Sequence, residues 1–177
     1  ETPFHSGVAI VLCNTLLNKV QNVESVSSRC MFLTLRGPTP ITLISCYMHQ
    51  ADHEFGKKCR EYDKVEKCIA KLIGKGPTYV GGDFNARLTD CDLTEYQSLG
   101  PNVYNRTGTG HLMNFAMLDN QRLVLQLAEK LNLKVINTWF AKPHQEQVTW
   151  IPQGRERGPP WGPGSGYDVM DYWLVPS

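Results

Sequence analysis

Apolar positions along the chain fall into two rhythms: short unbroken or alternating runs that predict strands, and runs at three-to-four spacing that predict helices. Gly7-Val8-Ala9-Ile10-Val11-Leu12-Cys13 is a continuous apolar run, as expected of a strand buried on both faces. Residues 30–36 and 41–47 read as two further strands, and Gly37-Pro38-Thr39-Pro40 between them is hairpin punctuation. A helix is predicted over 52–73, with Tyr62, Val65, Ile69 and Leu72 on one face and Gly74-Lys75-Gly76-Pro77 ending it. Thr78-Tyr79-Val80 leads as a short strand into the polar motif Gly81-Gly82-Asp83-Phe84-Asn85. Residues 86–114 are turn-rich and read as loop. A second helix is predicted over 119–131 on the spacing of Leu123, Leu127 and Leu131, and short strands over 133–137, 147–151 and 169–175. A Gly/Pro/Arg-rich loop spans 152–166. With strands outnumbering interspersed helices, the fold class is α/β or α+β, sheets with flanking helices. No repeat or composition break divides residues 1–177, so a single domain is expected.

Composition narrows the classes. The 177 residues are 41% hydrophobic and 20% charged, with 18 Lys+Arg against 17 Asp+Glu and a net charge of +1. Disorder is excluded by that balance. The longest apolar run, six residues at 8–13, is far short of the roughly 20 needed to span a bilayer. A net charge of +1 argues against a protein that coats nucleic acid, though not against a nuclease. The six cysteines form no CxxC pair and have no histidine at zinc-finger spacing, and three lie in apolar runs. They read as reduced structural thiols, which favours a reducing intracellular compartment, while their even number leaves disulfides open. The sequence starts at Glu1 and stops at Ser177, both beside expected strands, so a fragment or processed product is expected.

Four places carry chemistry. In Gly82-Asp83-Phe84-Asn85, a strand would put Asp83 and Asn85 on one side and Phe84 on the other, in the core. A carboxylate there can orient a water and an amide can donate to a phosphate oxygen, though a turn capped by Asp and Asn would look the same. Asp171, within Val-Met-Asp-Tyr-Trp-Leu-Val, is costly to bury unpaired, so it is either a site carboxylate or an edge-strand charge that blocks aggregation. Thr149-Trp150 and Tyr47 would each, taken alone, be core or rim positions.

Taken in order, the Ser-Gly-Val-Ala-Ile run at 6–10, a strand ending in Tyr47, Gly82-Asp83-Phe84-Asn85-Ala86, Asn137-Thr138, Thr149-Trp150 and Asp171-Tyr172 resemble the endonuclease/exonuclease/phosphatase family. The resemblance is greatest to its non-LTR retrotransposon endonucleases, which are similar to the apurinic/apyrimidinic endonucleases. It implies a DNase I-like, two-layer β-sandwich of mixed sheets flanked by helices, which hydrolyses phosphodiesters with Mg²⁺. By that resemblance Tyr47 sits near the scissile phosphate, Asp83 orients or deprotonates the attacking water, and Asn85 supports the phosphate. Asp171 orients a catalytic histidine, and Thr149, Trp150 and Asn137 shape the substrate rim. The family's early Asn and metal-binding Glu should precede Ser6, and its Ser-Asp-His motif should follow Tyr172. None of these matches a residue here, and His5, His49, His53, His111 and His144 all precede Asp171. The resemblance therefore implies a truncated domain that does not bind Mg²⁺ on its own. DNA is the expected partner if the domain is active. Otherwise the expectation is protein partners in a larger complex, served by a structural subunit without catalysis. A phosphatase acting on a small phosphoester or lipid head group would need the same unmatched residues.

Overall fold

Strand pairing sets the frame. The computed structural model describes residues 7–88, 96–104, 115–151, 153–154, 156, 158 and 167–177. A short helix α1 (Asn14–Leu17) precedes strands β1 (Val20–Ser27), β2 (Cys30–Leu35) and β3 (Ile41–Tyr47). Helix α2 (Phe55–Leu72), strand β4 (Thr78–Asp83), helix α3 (Phe115–Lys130) and strand β5 (Leu133–Val135) follow. A 3-10 turn (Ile136–Thr138), a one-turn helix α4 (His144–Gln147) and strand β6 (Asp171–Pro176) complete the set. The strands form one sheet in the order β1-β2-β3-β4-β6-β5. β3 and β4 run parallel, joined through α2, and every other neighbour is antiparallel. This is a mixed α/β sheet with flanking helices. Of the second sheet that a sandwich needs, the described residues supply an isolated antiparallel bridge, Trp150 to Asp168.

The pleat divides the sheet into two faces. Phe32, Ile44, Cys46, Val80, Tyr172 and Leu174 point to one face and pack with Tyr62, Val65 and Ile69 of α2 and Val124, Leu127 and Ala128 of α3. The alternate positions point the other way. There Leu33 is buried, but Ile41, Tyr79 and Trp173 stay exposed.

The apolar run at 7–13 is not the buried strand its pattern predicts. Val8, Ile10 and Leu12 are half-buried, while Ala9 and Val11 are exposed, Val11 to 94%. An apolar segment becomes a strand only where another strand takes its hydrogen bonds. No described strand pairs with it. Conversely, β1 has no sequence signal, because Val20, Val23 and Val26 recur every third residue and not every second. It forms because antiparallel pairing with β2 supplies its hydrogen bonds, with bulges at both ends. The strand expected over 147–151 is a helical turn at Gln147 followed by the single bridge residue Trp150. Cys13, Cys30, Cys46, Cys59 and Cys68 are free thiols, and Cys91 lies outside the described residues. Among the described residues, no helix is long and apolar enough to cross a membrane.

Candidate active site

The strand registers bring three of the sequence candidates into one row. Tyr47, the last residue of β3, pairs with Asp83, the last of β4. Asp83 pairs in turn with Asp171, the first of β6. Paired residues on neighbouring strands point to the same face about 5 Å apart. The row therefore holds a phenol and two carboxylates at one end of the sheet, on the partly open face. β6 lies between β4 and β5, so Asp171 is not an edge-strand charge.

Asn85 reaches the row by a different route from the one expected. β4 ends at Asp83, and Asn85 takes a left-handed conformation (φ 48°), not an extended one. Its backbone N–H donates to Asp83 Oδ1 at 2.7 Å, and its side-chain Nδ2 donates to the Met48 carbonyl at 2.8 Å. Phe84 between them is fully buried. The two glycines before Asp83 serve the close packing of the sheet. A Cβ on Gly81 would meet the Trp173 ring at 2.7 Å. One on Gly82 (φ +151°) would meet the Cys46 carbonyl oxygen at 1.9 Å.

Two buried polar side chains tie the loops that follow β3 and β4. Asn120 of α3 donates through Nδ2 to the His49 carbonyl (3.0 Å) and to the Asn85 carbonyl (2.8 Å). Lys58 of α2 donates to the Ala51 carbonyl (2.6 Å) and to that of Ala116 (3.2 Å), and burial lowers its pKa. Neither is singled out by the sequence patterns, because their carbonyl partners come from other segments. His49 is buried beside them. Desolvation and then the nearby Arg29 charge push its imidazole down to about 4, so it is neutral.

Burial pushes the Asp83 carboxyl up to about 6, against the lowering effect of the Asn85 N–H, with Asp171 adding to the rise. A carboxylate so placed takes a proton from water far more readily than an ordinary one. The Arg29 guanidinium lies 5.0 Å above the Tyr47 ring.

The other candidates serve as supports. Thr149 Oγ1 accepts from the Met170 N–H (3.0 Å) and the Asp171 N–H (3.2 Å), which fixes the start of β6. Asn137 Oδ1 accepts the Trp173 N–H at 2.7 Å. Trp150 lies under the Arg87 guanidinium, 5.6 Å from it, and Arg87 is paired at 2.6 Å with the buried Asp168. Asn137, Thr149, Arg87 and Asp168 line one cavity of about 90 Å³ beside the row. The sequence patterns drew no attention to Arg87 and Asp168. Arg155, Arg157 and Trp161, in the 152–166 loop, lie outside the described residues.

Magnesium, implied by the sequence resemblance, needs oxygen donors in near-octahedral array. The described residues bring Asp83 and Asp171 together, but they contain no group of three or more His, Cys, Asp or Glu side chains able to surround an ion.

The chain has the fold of a 3′ phosphatase from Neisseria, NExo, whose structure holds a product DNA hairpin. The TM-score is 0.52 at 16% identity, over 89% of this chain and 58% of that one. Two further similar structures are the endonuclease domain of TRAS1, a telomere-specific non-LTR retrotransposon (TM-score 0.47, 13% identity, 85% of this chain and 52% of that one), and an endonuclease/exonuclease/phosphatase family protein from Leptotrichia buccalis (TM-score 0.47, 12% identity, 84% and 42%). The likeness is one of fold. The chain spans about half the length of each of these proteins. No family model matches the sequence, and no curated protein matches it.

Proposed function

We propose that the chain is an endonuclease-like, phosphodiester-binding domain of the retrotransposon type, one that binds DNA but does not complete catalysis with the residues described. What carries the reading is the Tyr47–Asp83–Asp171 row across three neighbouring strands. In this reading Asp83 is the base. With its carboxyl near 6 it is ionised at neutral pH, yet basic enough to accept a proton from an attacking water. The Asn85 N–H holds Oδ1, so Oδ2 is left for that water. Tyr47 donates its hydroxyl toward a phosphate oxygen, and Asp171 keeps the far side of the row acidic. Thr149, Trp150 and Asn137 hold the rim. The row contains no acid for the leaving oxygen and no cation for the developing charge. Lack of a general acid alone costs about 10²–10⁴ in rate.

The test is a supercoiled plasmid incubated with the chain, with and without magnesium, followed by a binding assay on the same DNA. The expected result is binding without nicking above the level of Asp83→Ala. Nicking that Asp83→Ala abolishes would overturn the incompleteness, and failure to bind DNA would overturn the phosphodiester reading. A second reading, a non-catalytic structural subunit of a larger assembly, is favoured by the exposed Ile41, Tyr79 and Trp173 on the open sheet face, since exposed apolar surface marks partners.

A further inference from the structure

Helix α2 separates its charges. Asp63 and Glu66 line the groove toward α3, where Glu66 pairs with Lys130 at 2.7 Å. Lys64, Lys67 and Lys71, with Lys75 just beyond the helix, line the opposite groove, against β1 and β2. Their spacing of three or four residues places them on one side of the helix, about one turn (~5.4 Å) apart. All four are exposed, and Lys67, Lys71 and Lys75 have no ion pair among the described residues. The groove holds about 520 Å³, and its far wall carries the Gln21 and Asn22 amides and one carboxylate, Glu24. At Lys64 and Val26 it meets a second groove of about 340 Å³ that contains Arg29 and Arg60. Arg29 in turn lies over Tyr47 and donates to the Tyr47 carbonyl at 3.4 Å. Basic side chains thus extend from Arg29, beside Tyr47, along α2 to Lys75, with one carboxylate, Glu61, among them, paired with Lys64 at 3.1 Å.

We infer that this track, from Arg29 to Lys75, takes the phosphate backbone of a nucleic-acid strand and leads it to the Tyr47–Asp83–Asp171 row. The inference deepens the reading of the row as a phosphodiester site. Point charges on flexible stems suit backbone contact without sequence readout. Regular one-turn spacing matches a polymer of evenly spaced charges, whereas an acidic protein surface presents an irregular set. The near-neutral net charge of +1 conceals the track, because Asp63, Glu66 and Glu129 lie toward α3, while the track itself carries the two carboxylates Glu24 and Glu61.

The experiment is fluorescence anisotropy with a labelled single-stranded DNA oligonucleotide over a salt series. Three proteins are compared: the unaltered chain, the variant Lys67→Gln/Lys71→Gln/Lys75→Gln, and a reference variant Lys19→Gln/Lys130→Gln/Lys134→Gln with the same charge change away from the track. The unaltered chain should bind with a steep salt dependence. The track variant should lose roughly tenfold in affinity at low salt, and its log–log salt slope should shrink by about 2, three lost contacts at about 0.7 each. The reference variant should keep the slope. Equal losses in both variants, an unchanged slope in the track variant, or tighter binding of polyglutamate than of DNA would overturn the inference. Thermal melts of all three check that the replacements leave the fold intact. Plasmid nicking tests the row and the salt slope tests the track, so either can fail while the other stands.

Discussion

The two faces of the six-stranded sheet use the same strands under opposite rules. On the helix-covered face every strand contributes a side chain whose job is to fill space, and Val80, Leu174 and Ile69 are completely buried there. On the other face the same strands end in Tyr47, Asp83 and Asp171, and a few residues away Trp173 is half exposed. Burial energy fixes the strands from below. Hydrogen bonds donated by Asn85 and Asn120 and accepted by Thr149 then fix the polar ends above. A fold can therefore position carboxylates in a partly desolvated setting, with the raised Asp83 pKa as the consequence, because the opposite face supplies the stability.

Neighbouring residues on β4 separate the two faces most sharply. Gly82→Ala would force a Cβ into the Cys46 carbonyl from a backbone conformation that L side chains rarely adopt, so loss of more than about 4 kcal/mol, or no cooperative unfolding at all, is expected in a thermal melt. Gly81→Ala meets only the Trp173 ring, which is half exposed and can swing aside, and about 1–2 kcal/mol is expected. Equal costs would dissolve the distinction. Next in size, Leu174→Ala should cost about 2–5 kcal/mol by opening a cavity, while Trp173→Ala one residue earlier should cost less than half as much. Chemical denaturation of both variants checks this. Asn120→Ala should cost about 1–3 kcal/mol by leaving the His49 and Asn85 carbonyls without their donor, and it should shift the Asn85 amide resonance.

The smallest effect has a sign that identifies the polar face. The Asp83 carboxyl is raised to about 6 from an ordinary 3.8, so the folded chain binds more protons than the unfolded one between those values. Stability then falls as pH rises from about 4 through 6 and is level above. Asp83→Asn keeps an acceptor for the Asn85 N–H and removes the buried charge. It should therefore be more stable than the unaltered chain by about 1 kcal/mol at pH 8, after discounting for solvent access, with the difference closing below pH 4. Melting curves across that range measure it, and a less stable variant at pH 8 would contradict the assignment.

How legible these features were in the sequence follows from where their causes lie. The strands at 30–35 and 41–47, both long helices and the polar end of β4 were visible, because local alternation, helical periodicity and glycine punctuation report them directly. The order of strands was not, and it is the order that turns Tyr47, Asp83 and Asp171 from three separate motifs into one row. The 7–13 run misled because hydrophobicity states a preference for burial, whereas strand formation needs a partner. β1 was missed for the converse reason, since its partner supplies what its own pattern lacks. Asn85 lies in the motif that the sequence displays, but its expected strand geometry gave way to a left-handed turn that brings its N–H onto Asp83. Arg87, Asp168 and Asn120 could be found only once distant segments were placed together.

The most direct test of the central claim is a carboxyl-carbon NMR titration of Asp83, run with and without a short DNA oligonucleotide. The account predicts an apparent pKa near 6 in the free chain, rising further when DNA binds and brings a phosphate charge beside the row. An Asp83 that titrates near 3.9 and ignores DNA would contradict it.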